Sequence, residues 1–92
     1  MDFKDFNPDC YVEPSELDVW LNAIGGNLWA PIADEWFPGN PNRYVIVDML
    51  RLYLRKKRQA MVARLAGDIA QAVVWEDVCD RLYLNLPKEV RW

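Results

Sequence analysis

From Asn42 to Ala66 the chain contains no glycine or proline, and this run constrains everything around it. Asn40 followed by Pro41 reads as a helix start. The asparagine side chain can accept from a free N–H, and proline at the first helical position lacks only a donor that would be unpaired anyway. The first break is Gly67-Asp68. A helix over 41–66 would be about 39 Å long at 1.5 Å per residue. A sphere of 92 residues, with a radius of gyration near 12 Å, is only about 32 Å across. Such a helix overhangs its own domain unless it kinks or meets another chain. A competing reading makes Tyr44–Val47 a strand, because β-branched residues cluster there. The residues that follow, Asp48–Leu65, are mostly strong helix formers.

The flanking segments supply shorter helices. Pro14-Ser15-Glu16 opens one over about 16–24, with Ser15 as cap and Glu16 and Asp18 complementing the positive helix end. Leu17, Trp20, Leu21 and Ile24 recur at helical spacing, and Gly25-Gly26 reads as a left-handed stop. Residues 27–39 read as an aromatic-rich helical turn between breakers, ended by Pro38-Gly39. A last helix spans about 68–85. Its apolar positions form two sets, one through Val62, Leu65, Ala66, Ile69, Ala70 and Val73, the other through Trp75, Val78, Cys79, Leu82, Tyr83 and Leu86. The sets are out of phase by about 200°, which predicts a bend near Val73–Trp75 or a change of packing partner. Residues 1–13 read as an extended arm whose Phe3, Phe6 and Tyr11 dock elsewhere, and 87–92 as a short tail. The expected fold is a single all-α domain over 1–92.

Composition removes most catalytic schemes. The chain has no histidine, no threonine and one serine, Ser15, so the usual nucleophile–base pairs and imidazole metal sites have no parts. Cys10 and Cys79 form no CxxC pair and are expected to be reduced thiols. Cys79 stands among acids that disfavour a thiolate. Glu76 and Asp80 share a helix face, and Asp34-Glu35 adjoin Trp36. Neither set comes with a glycine-rich phosphate loop or a calcium loop. The expectation is a non-enzyme with no cofactor and no metal. The amino terminus is acidic and lacks an apolar leader, and no uncharged stretch is long enough to span a bilayer. This points to a soluble cytoplasmic chain.

The formal charge of −3 conceals a strong polarity. Residues 1–42 hold eight acids and one base (net −7), 43–66 one acid and seven bases (net +6), and 67–92 five acids and three bases (net −2). The basic block comprises Arg51, Arg55, Lys56, Lys57, Arg58 and Arg64, with Arg51, Arg55 and Arg58 on one helical stripe. Such a stripe could pair within the chain or between subunits, orient an acidic protein partner, or track phosphates. Flanking acids oppose the last of these.

From Tyr44 to Leu54 only Asp48 and Arg51 are polar, so that segment expects cover on all sides, from the chain itself or from another subunit. The five tryptophans add contact area. Trp20 and Trp75 lie on helical apolar faces, whereas Trp29, Trp36 and Trp92 fall in connections and the tail. The candidate partner-binding residues are therefore Trp29, Trp36, Phe37, Tyr44, Leu52, Tyr53 and Trp92, since large aromatic residues anchor interfaces. The expected function is a small protein–protein interaction module (adaptor, assembly subunit or inhibitor) that pairs with another protein or with itself. The alternative is a nucleic-acid-associated regulator using the basic stripe.

Overall fold

The protein is described by a computed structural model covering residues 6–27 and 29–91. Within these, α1 spans Pro14–Gly25, α2 Trp29–Trp36, α3 Arg43–Leu65 and α4 Ile69–Leu84, with single 3-10 turns at Pro8–Cys10 and Lys88–Val90. There is no strand among the described residues, and Tyr44–Val47 lies inside α3. The protein is a small all-α domain built around a long helix.

Local chemistry sets the boundaries, though not always through the residues the sequence singled out. Pro14 itself takes the first turn of α1, which moves the cap back to Glu13. The Glu13 side chain accepts from the Glu16 backbone, and Glu16 Oε1 accepts from Glu13 N–H at 3.1 Å. This reciprocal capping box leaves Ser15 exposed within the helix. Gly26 ends α1 in an extended conformation (φ −96°), not the left-handed one expected. A Cβ there would lie 3.1 Å from the Asn22 carbonyl oxygen, so close approach is what favours glycine. The α3 start also shifts, by two residues. Asn40 Oδ1 accepts from Asn42 N–H at 2.9 Å and the Asn40 carbonyl from Arg43 N–H at 3.2 Å, so Asn40-Pro41-Asn42 is a turn leading into Arg43. At the far end Gly67, with φ 80°, provides the left-handed residue of a Schellman ending. Asp68 N–H reaches the Ala63 carbonyl at 2.9 Å and Gly67 N–H the Arg64 carbonyl at 3.1 Å. Asp68 then caps α4 by accepting from Gln71 N–H at 3.2 Å.

Packing is organised along α3. Helix α4 folds back against its length, while α1 and α2 cover part of it and contact each other. Leu17 and Ile24 of α1, Ile46, Val47, Leu50 and Leu54 of α3, and Val90 of the tail are almost fully buried. Phe6 meets Trp20 edge-on with ring centroids 5.0 Å apart, and Trp20 Nε1 donates to Tyr11 Oη at 2.7 Å. Phe6 and Tyr11 of the arm thus dock on α1, while Phe3 lies outside the described residues. Arg91 closes the base by donating to the carbonyls of Leu84 and Leu86, both at 2.8 Å.

The apolar 44–54 segment is covered on one side only: Tyr44, Val45 and Leu52 are exposed. Helix α4 runs without interruption from Ile69 to Leu84, and the phase shift marks a change in what packs against it. The set that packs is Trp75, Cys79, Leu82 and Tyr83, with Ala72 buried one turn before. The other set is left bare. The molecule measures 43 × 24 × 21 Å, and its long axis reflects the overhang that an uninterrupted α3 implied.

Candidate interaction surface

The aromatic candidates divide by burial. Phe37 and Tyr53 are core residues, 9% and 4% exposed, and present almost nothing to a partner. Both lie on the inward faces of their segments, where an aromatic ring removes the most apolar area from water. Trp36 is half-buried against Trp20 and Phe37. Trp92 lies outside the described residues. Trp29 and Tyr44 come together, with ring centroids 5.5 Å apart in an edge-on contact between α2 and α3. Asp34 Oδ1 accepts from Arg43 Nε at 2.5 Å and from Tyr44 Oη at 3.0 Å. The Arg43 hydrogen bond, then that from Tyr44, holds the Asp34 carboxyl below its ordinary range. The Arg51 guanidinium lies 5.8 Å from the Trp29 ring. This cluster locks α2 onto α3, and its groups satisfy one another. Leu52 is exposed and belongs to none of these clusters.

The basic stripe is largely paired within the chain. Arg51 bonds to Asp48, Arg58 Nε to Asp18 Oδ1 of α1 at 2.6 Å, and Arg64 to Glu76 of α4 through two contacts of 2.8 and 2.6 Å. Lys56 Nζ sits 4.9 Å from the Trp75 ring centroid and Lys57 Nζ 5.9 Å from that of Tyr53. Arg55 is exposed and forms no ion pair among the described residues. The α3 cations thus serve to attach α1 and α4.

The surface the sequence did not single out lies at the tip of the α3–α4 hairpin. Between the helices a shallow cavity of about 210 Å³ is lined by Tyr11, Met61, Arg64, Glu76 and Asp80, with Tyr53 and Cys79 among its other walls. Its charged groups neutralise one another. The bidentate Arg64 guanidinium holds Glu76 below the usual carboxylate range, and Lys57 adds to this. Burial pushes the Cys79 thiol up to about 11, with Lys57 opposing and Asp80 and Glu76 reinforcing the shift. Outward from this cavity stand Val62, Leu65, Ile69 and Val73, at 43%, 65%, 51% and 54% exposure. Leu65 is one turn beyond Met61, and Ile69 and Val73 are two and one turns before Glu76, so all three flank the same groove. Together with Val62 they present roughly 400 Å² of apolar surface, within the range of the largest patch on a typical monomer. The only signal in the sequence was the phase mismatch: these residues make up most of the set that does not match the packed face of α4.

Among the described residues no three acids or cysteines gather in a group able to hold a metal ion, and no helix is long and apolar enough to cross a membrane. No protein-family model, curated protein or solved structure compared with the chain matches it.

Proposed function

We propose that the protein is a non-catalytic protein–protein interaction module whose docking face is the groove side of the α3–α4 hairpin tip. One observation carries this reading. The α3 stripe that α1 covers as far as Arg58 continues through Val62 and Leu65, which are exposed among the described residues, and Ile69 and Val73 widen it. Placing leucine and isoleucine there contributes little to the fold and forms an apolar patch of the kind that marks partner sites. The polar rim of Arg64, Glu76 and Asp80 gives orientation more than affinity. Cytoplasmic placement is supported by Cys10 and Cys79, both unbridged. A phosphate-tracking role draws less support, because Arg51, Arg58 and Arg64 are already engaged with Asp48, Asp18 and Glu76.

The test is a photo-crosslinking residue placed at Ile69 and, separately, at Gln71, two positions on and about 200° around α4. In cells of the source organism, adducts are expected from position 69, not from 71, and should disappear when Leu65→Glu is added. Equal adducts from both positions, or none from 69, would remove the hairpin tip as a docking face.

A further inference from the structure

We infer that the occupant of this face is a second copy of the chain, paired tip over tip about a two-fold axis; this rests on the hairpin tip being a docking face. Three observations point to self-pairing. The first is area. One copy offers roughly 400 Å² of apolar surface, and two such faces with their polar rims bury about 1,000–1,200 Å², the lower bound for a specific interface. A much smaller partner would leave part of the patch wet.

The second is charge. The groove is lined by two cations, Lys57 and Arg64, and two acids, Glu76 and Asp80, with Arg64 and Glu76 joined at 2.6 Å and uncharged Val62, Leu65, Ile69 and Val73 alongside. A face holding both signs in equal number is compatible with its own copy, since a two-fold axis can bring each Arg64 toward the other copy's Glu76 without isolating either. A strongly charged partner would find no net field at the groove floor. Asp77, next along α4, pairs with Arg81 at 3.1 Å.

The third is shape. Helix α1 begins at Pro14 and is fastened near the middle of α3 by Asp18–Arg58. It occupies this side of the hairpin at the base, so two copies with their bases together would collide at α1. With bases outward, each tip lies against the other's groove beyond Tyr11 and continues the layer that α1 and Tyr11 form. The result is an isologous, closed dimer with two antiparallel hairpins in its centre.

Sedimentation velocity of the full chain tests this. The expected result is a reversible monomer–dimer equilibrium between 10.8 kDa and twice that mass. A face at the lower area bound places the pair among weak, reversible associations, so the chain is followed up to about 1 mM. Ile69→Glu and Val73→Glu should each weaken it by about tenfold or more, because each buries an unpaired carboxylate. Val19→Glu, on the exposed side of α1, should leave it unchanged, and circular dichroism should show all three variants folded. A chain still monomeric at about 1 mM overturns the pairing. A dimer indifferent to both Ile69→Glu and Val73→Glu overturns it too, as does open-ended growth beyond two copies. If the chain is monomeric while photo-adducts from position 69 persist, only the self-pairing fails; loss of those adducts removes the docking face itself.

Discussion

At its base the inner side of the α3–α4 hairpin is covered by α1, α2, the docked arm and the tail, and Ile46, Leu50 and Leu54 are almost fully buried, while Val45, Leu52 and Leu84 on its outer sides are exposed. At its tip Leu65, Ile69 and Val73, of the same aliphatic chemistry, are exposed on the side that α1 covers lower down. The sequences of the two ends do not differ in apolarity. They differ in what lies over that side among the described residues, because α1 starts at Pro14 and is fastened to α3 at Arg58. An aliphatic side chain on a helix therefore says where burial is available, not which elements will provide it.

That contrast can be broken most directly with paired truncations. Leu54→Ala at the base should cost about 3 kcal/mol or more in chemical denaturation, as the loss of a fully buried leucine does. Leu65→Ala at the tip should stay within about 0.5 kcal/mol, as an exposed position does. Equal losses would show that the tip is packed after all. The next effect is the hydrogen bond that docks the arm: Tyr11→Phe removes the acceptor of Trp20 Nε1 and should cost about 1 kcal/mol. Asp68→Ala, which uncaps α4 at the tip, should cost about the same, with the fastest amide exchange appearing around Gly67.

The thiols sharpen the comparison without mutation. Cys10 is exposed, whereas Cys79 is buried and raised to about 11. At pH 8 a thiol reagent should label Cys10 at once and Cys79 only as the α3–α4 interface opens. The smallest effect concerns Glu76, whose carboxyl Arg64 holds below its ordinary value. A lowered acid contributes its stabilisation above the unfolded value, near 4.5, and loses it as pH falls through the folded one. Titration by NMR should show Glu76 shifting back toward its ordinary range in Arg64→Gln. No shift would mean the ion pair is absent in solution.

Much of the fold was legible because its signals are local. The breaker-free run gave α3, Pro14 and Glu16 gave α1, and Gly67-Asp68 gave the hairpin turn. Element ends were legible only to a residue or two. Whether Ser15 or Glu13 caps α1 depends on where Pro14 sits, and Asn40 makes a turn with Asn42 where helix capping was expected. The candidate surface was the harder part. Phe37 and Tyr53 are large aromatics in plausible places, yet tertiary packing turned them inward. Val62, Leu65, Ile69 and Val73 follow the helical period faithfully, and periodicity reports a face without saying whether anything lies against it. Intramolecular pairing was one reading of the basic stripe, and Arg58 and Arg64 follow it, with partners 40 and 12 residues away.

No buried residue lies beyond Ala60 on α3 or before Ala72 on α4. The shape is thus set below the tip, and residues 62–71 contribute no buried side chain to it. A hairpin of this kind can be lengthened or shortened by matched heptads on either side of Gly67 without disturbing Leu17, Leu50 or Val90. Chains that share this base can differ at the tip while folding by the same rules.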